Sequence, residues 1–148
     1  MIQVKIFNDS GFENPKYANA HSAGVDLVAK INEPLTLRSL DRSMVPTGIY
    51  LEIPEGYEAQ VRPRSGMAAK RGVGVLNSPG TIDADFRGEI KVILVNLSDE
   101  TVTIEPGERI AQLVFAKFEQ AKFDNVDGAE KLSITERGFG GFGSTGNK

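Results

Sequence analysis

Ile49, Leu51 and Ile53 alternate with Tyr50 and Glu52; Pro54-Glu55-Gly56 then breaks the run, and Tyr57, Ala59 and Val61 resume it with Glu58, Gln60 and Arg62 opposite. Period-two alternation on both sides of a turn reads as a β-hairpin. Ile2, Val4 and Ile6 alternate with Gln3 and Lys5, the pattern of a half-buried strand, and a turn-rich connection follows from Asn8 to Asn19. Ile90 to Leu97 is apolar on both faces beyond Lys91 and rich in β-branched residues, so it predicts a strand covered on both sides, at a sandwich centre or a subunit interface. Thr101–Ile104 and Arg109–Ala116 add strands around the turn Glu105-Pro106-Gly107-Glu108. No βαβ spacing and no internal repeat is present. The expectation is an all-β sandwich or barrel with one short helix.

At 148 residues the chain has room for one sizeable core and not two, so an elaborate site is expected to borrow surface from another chain. A net charge of -3 argues against a protein living on nucleic-acid backbone attraction. Zero Cys removes disulfides and thiolate chemistry, and a single His leaves no His-rich metal cluster. Any metal is then a hard, oxygen-bound ion such as Mg²⁺. No apolar run reaches about 18 residues, and Met1 to Phe7 alternates instead of forming a signal, so neither membrane nor nucleic acid is expected as a partner and a cytoplasmic protein is.

Chemistry concentrates in four places. Asp26 lies in the small and apolar strand Ser22–Ala29, where an unpaired charge is costly and partners are needed. Arg62, Arg64, Lys70 and Arg71 flank Ser65-Gly66-Met67-Ala68-Ala69, with no acidic residue among them. Ser65 is placed to cap a short helix that Gly72 ends, giving a phosphate-binding corner or, more plainly, a solvated charged turn. Asn77 to Glu89 is a Gly- and Pro-punctuated turn carrying Asp83, Asp85, Phe86 and Arg87. Its two aspartates are expected to face opposite sides, one toward a ligand and the other anchoring the loop through Arg87; a charged surface hairpin is the blander alternative. Arg137 to Lys148 holds five of the sixteen glycines and too little apolar surface to order itself, though Phe142 offers a ring for stacking on a base and Arg137, Ser144 and Thr145 are phosphate ligands by type.

Taken together, five stretches resemble the motifs of the trimeric dUTPase family: Ala23-Gly24-Val25-Asp26-Leu27, Arg64-Ser65-Gly66-Met67-Ala68, Gly80 to Glu89, Pro106 to Leu113, and Arg137 to Gly146. They occur in the family's order and span nearly the whole chain. The resemblance implies a jelly-roll β-protein assembled as a homotrimer, with three active sites each built from all three chains. Residues 1–136 are then the catalytic body and 137–148 a lid over a neighbouring subunit's site. It also implies hydrolysis of dUTP to dUMP and pyrophosphate with Mg²⁺ on the triphosphate, keeping uracil out of DNA and supplying dUMP for thymidylate synthesis.

Residue by residue, Asp83 matches the family's general base for the attacking water, and Asp26 the carboxylate that reaches Mg²⁺ through water. Arg64, Ser65, Gly66 and Gln112 resemble its phosphate ligands. Asn77, Gly80, Thr81 and Ile82 fall in the hairpin that selects uracil, and Phe86 takes the place of a Tyr common in relatives as the platform under deoxyribose. From the tail, Phe142 matches the ring over uracil, and Arg137, Gly143, Ser144 and Thr145 the γ-phosphate segment, with Ser144 where the family often has His. Two alternatives share the fold: a dCTP deaminase-like enzyme, which needs a Glu by cytosine where this chain has Asp83, and a catalytically silent nucleotide-binding regulator, which has no need of Asp83, Asp26 and Gln112 together.

Overall fold

Ten strands and one α-helix form within residues 1–141, the part of the chain that the computed structural model describes. One antiparallel sheet holds β1 (Lys5–Asn8), β4 (Arg42–Glu52), β8 (Ile90–Asn96) and β6 (Val73–Val75) in that order. The second holds β2 (Gly24–Val28), β10 (Arg109–Lys117), β5 (Tyr57–Arg62) and β7 (Gly80–Ile82), and β3 (Leu35–Leu37) pairs apart with β9 (Val102–Ile104). The helix, α1, spans Ser65–Arg71, and a single 3₁₀ turn covers Ala129–Lys131. Among the described residues, no helix is long and apolar enough to cross a membrane.

No two strands adjacent in sequence pair with each other. The expected hairpin around Pro54-Glu55-Gly56 is therefore not one: β4 lies in the first sheet and β5 in the second, and the turn carries the chain across the sandwich. Alternation cannot distinguish the two outcomes, because a strand buries the same side chains whether its predecessor lies beside it at about 4.8 Å or across the core at about 10 Å. The same holds for Val75 to Gly80, where β6 and β7 also belong to opposite sheets.

The sheets enclose a single core. Val45, Ile49, Leu51, Ile90, Val92 and Leu94 from the first meet Val25, Leu27, Ala59, Val61, Ala111 and Leu113 from the second, while Leu37, Val102 and Ile104 close one end. In β8, Ile90, Val92 and Leu94 point inward and Val95 is buried on the opposite side, as the two-sided apolar run predicts. The amino-terminal strand departs from expectation. It begins only at Lys5 and has one neighbour, β4, so Ile6 and Phe7 stay exposed. Ile2, Val4 and Ile6 line a shallow groove of about 290 Å³ with Leu51, Leu113 and Phe115, at the rim of the core and not within it.

Among the described residues two polar ones are fully buried, Thr47 and Asn96, and both are satisfied. Thr47 Oγ1 donates to Ile90 O at 2.6 Å beside a bulge at which β4 shifts register against β8 between Pro46 and Ile49. Gly48 forms that bulge with φ +69, and a Cβ on it would lie 2.6 Å from Ser10 N, so both the backbone and the space demand glycine. Asn96 ends β8: its Nδ2 donates to Leu37 O (3.0 Å) and Glu100 O (2.7 Å), and its Oδ1 accepts from Ser98 N (3.0 Å) and Ser98 Oγ (2.7 Å). One side chain thus joins β8, β3 and the loop to β9. Asn96→Ala leaves the buried Leu37 carbonyl without this donor and is expected to lower unfolding free energy by about 1–3 kcal/mol, read by chemical denaturation; a change within error would show that the network carries no stability.

Candidate active site

The outer face of the second sheet is polar where its inner face is core. Register places Asp26 on β2 beside Gln112 on β10, and Gln112 beside Arg62 on β5, in one row across the sheet. Asp26 finds the partners its burial requires. Arg64 Nε donates to Oδ1 at 2.9 Å and Arg109 Nη1 to Oδ2 at 3.2 Å, so each carboxylate oxygen carries a guanidinium. Arg64 Nη1 also reaches Arg109 O at 3.2 Å. Gln112 Nε2 donates to Pro63 O at 3.0 Å. The other end of that carboxamide lies over Gly24, where a Cβ would sit 2.6 Å from Oε1; glycine leaves the carboxamide its place.

Arg64, extended at φ -90 and ψ 127, is the N-cap of α1, and no side chain caps the helix. The expectation that Ser65 caps it is corrected: Ser65 is the first helical residue, so its hydroxyl is one position too far along to receive the free N–H groups. Gly72 ends α1 as expected, left-handed, with its N–H on Ala68 O. The basic patch is also dispersed. Arg62 binds Gln60 Oε1 through Nε and Nη2, and Arg71 binds Glu108 and the Thr103 carbonyl. Only Arg64 remains beside exposed Ser65 and Gly66, and it is tied to Asp26.

At the far edge of the same sheet, β7 runs into the Asp83 turn, closed by Phe86 N–H on Asp83 O at 3.1 Å. The preceding crossing from β6 contains a cis Ser78–Pro79 peptide and leaves Asn77 exposed against Gly80. Asp83 and Asp85 do not face opposite sides. Residues two apart in extended chain share a side, and both aspartates are exposed and line one cavity of about 570 Å³ with Glu58, Ala84, Phe118 and Gln120. Nor does Asp85 hold the loop through Arg87. Arg87 Nη1 donates to Ala84 O (2.6 Å) and Phe86 O (2.9 Å), and Glu89 Oε1 receives Gly48 N at 2.9 Å, which fastens the loop to the β4 bulge. The half-open ring of Phe86 lies over Gly88, where a Cβ would meet it at 2.6 Å.

The two halves of the expected site lie at opposite ends of the sheet. Asp26, Arg64 and Gln112 cluster at the Arg62 end of β5, while Asp83 follows β7 near Glu58. Four residues of strand are ~14 Å, and two strand spacings add ~10 Å sideways, so one chain does not bring Asp83 to the Arg64 corner. Residues 118–141 are exposed save the partly covered Gly128, and Arg137 donates Nε to Gly140 O at 2.9 Å. Phe142, Gly143, Ser144 and Thr145 lie outside the described residues. No cluster of three His, Cys, Asp or Glu among the described residues forms a metal cage. A lone carboxylate with both oxygens paired suits, at most, the water shell of a Mg²⁺ carried mainly by phosphate oxygens. Sequence reasoning missed Arg109, Glu108 and Glu89; the first two stand inside the quoted Pro106–Leu113 motif, but nothing in their spacing tells which charge each one meets.

A dUTPase family model matches residues 10–146. The chain is 57% identical over 145 residues to a deoxyuridine 5'-triphosphate nucleotidohydrolase of Fusobacterium nucleatum, covering 98% of this chain and 97% of the relative. It is 59% identical over 143 residues to one of Cytophaga hutchinsonii, covering 97% and 91%. Among solved structures, a variant of the dUTPase of Staphylococcus bacteriophage 80alpha with dUpNHpp superposes with a TM-score of 0.85 at 26% identity over 99% of both chains. On the family match over residues 10–146 and identities of 57% and 59% over nearly the whole chain, this chain belongs to the dUTPase family.

Proposed function

We propose that this protein hydrolyses dUTP to dUMP and pyrophosphate in an active site shared between chains of a homotrimer. The separation of Asp83 from the Arg64 corner on one sheet carries this reading: the groups that a triphosphate hydrolase needs are present but lie at opposite ends of one subunit. Asp83 of one chain then meets Arg64, Ser65, Gly66 and Gln112 of a second. Residues 137–148 of a third form the lid, with Arg137, Gly143, Ser144 and Thr145 on the γ-phosphate and Phe142 over the base. The body at residues 1–136 remains the catalytic domain.

In this scheme Asp83 accepts a proton from a water whose oxygen attacks the α-phosphorus, and the bond to the β-phosphate oxygen breaks, releasing pyrophosphate. An exposed loop carboxylate is acceptor-only when ionised and open to that water. Arg64, held by Asp26, and Gln112 stabilise charge on the leaving group. Asp26 would hold a Mg²⁺ through water, and that ion would supply further neutralisation of the triphosphate's charge. Asn77, Gly80, Thr81 and Ile82 form the uracil wall, where backbone groups select the base. Phe86 lies under deoxyribose and excludes a 2′-hydroxyl. The product dUMP feeds thymidylate synthesis, and removal of dUTP keeps uracil out of DNA in the cytoplasm.

Pyrophosphate release from dUTP is expected to exceed that from dCTP, dTTP and UTP; ammonia from dCTP would instead indicate a deaminase, and comparable turnover of UTP would remove Phe86 from its sugar-sensing role. Asp83→Asn is expected to cut kcat by about 10²- to 10⁴-fold with KM little changed, and near-normal turnover would sink its assignment. Truncation before Arg137 is expected to abolish most activity while the mass in solution stays trimeric, because residues 137–141 are exposed and lie outside the core.

A further inference from the structure

The geometry points to the Arg71–Glu108 ion pair as a positioning device that holds the Arg64 corner from the far end of α1. The inference rests on the phosphate-binding reading of Arg64 above. The helix has seven residues, buries only Met67 and has no side-chain N-cap, so it cannot hold its own place. Its carboxyl end is pinned just past β8 by Leu97 N–H on Gly72 O at 2.9 Å. The amino end has only Arg64, whose side chain reaches Asp26 and the carbonyl of Arg109.

Arg71 closes a loop between these two ends. Its guanidinium binds Glu108 Oε1 and the Thr103 carbonyl, and Glu108 Oε2 in turn accepts Glu105 N at 2.9 Å, so the carboxylate is locked into the turn before β10. The next residue is Arg109, which gives Asp26 its second guanidinium and Arg64 its carbonyl acceptor. Both ends of α1 are thereby fastened to one short segment, Glu105 to Arg109. With the pair about a quarter to a third exposed (Glu108 25%, Arg71 32%), removing one charge leaves the other partly desolvated and frees the helix to shift against β10. Neither residue is placed on the substrate; both act through Arg64.

The test uses the full chain with Glu108→Gln, Arg71→Gln and Arg64→Ala, alone and in pairs, assayed well below each melting temperature. Glu108→Gln and Arg71→Gln are each expected to lower kcat/KM for dUTP about tenfold, since small misplacements of a substrate clamp cost this much or more. The double variant is expected to be no worse than either single. In the Arg64→Ala background Glu108→Gln is expected to add less than about twofold, the non-additivity of residues acting as one unit. Hydrogen exchange at the Met67 and Ala68 amides, which donate to Arg64 O at 3.1 and 3.0 Å, is expected to quicken in Glu108→Gln. Losses that multiply with Arg64→Ala, or unchanged exchange at those amides, overturn the inference. A wild-type chain that leaves dUTP intact overturns the functional reading instead, and the exchange measurement then decides the helix clasp by itself.

Discussion

Burial of one core between two sheets whose strands are never sequence neighbours is the constraint on which the remaining structure depends. Each turn must carry the chain across the sandwich or along its rim, so nearly every stabilising contact joins distant parts of the sequence. Local features are then recruited to make the crossings possible. Gly48 lets β4 bulge against Ser10 without steric conflict, Thr47 satisfies the carbonyl of Ile90 there, and Asn96 closes the end of β8 on Leu37 and Glu100. A buried polar group whose bonds are all made specifies one arrangement, and here these groups sit where the strands change partners or end.

The same crossings distribute the chemistry. Because β5 sits between β10 and β7, its two ends support different groups: the Asp26, Gln112 and Arg64 corner near Arg62, and the Asp83 turn near Glu58. The sandwich gives each a rigid base, and the polar outer face leaves both open. Arg109 and Glu108 extend the corner into a connected set of charges running from Asp26 to the end of α1. Glu89, next to Asp83's turn, reaches back to the β4 bulge, so the loop that carries the proposed base is fastened to the backbone at Gly48.

Much of this was legible before the coordinates. The strand segments, the short helix ended by Gly72, the two-sided burial of β8 and the need of Asp26 for partners follow from periodicity, glycine placement and the cost of a half-buried charge. Ser65 as a cap, Arg87 with Asp85, and the hairpin around Pro54-Glu55-Gly56 were not borne out. In each case the residue type was compatible with the role, but its partner was fixed by a neighbour far away in sequence: Arg87 found carbonyls, Glu89 took the anchoring job, and β5 crossed to the second sheet. The short strands β3 and β6 carry too few residues to show a period.

The sequence by itself determined that the chain is an all-β protein with one core and in which stretches its carboxylates and guanidinium groups lie. These depend on side-chain type and local spacing, which a linear string contains. Tertiary structure decided which charges meet, that Asp26 is held between Arg64 and Arg109, that Arg71 is committed to Glu108, and that Asp83 stands apart from all of them. Those outcomes turn on strand order and register across the two sheets, and alternating apolar residues are equally satisfied by many orders; only packing all the strands around one core selects among them.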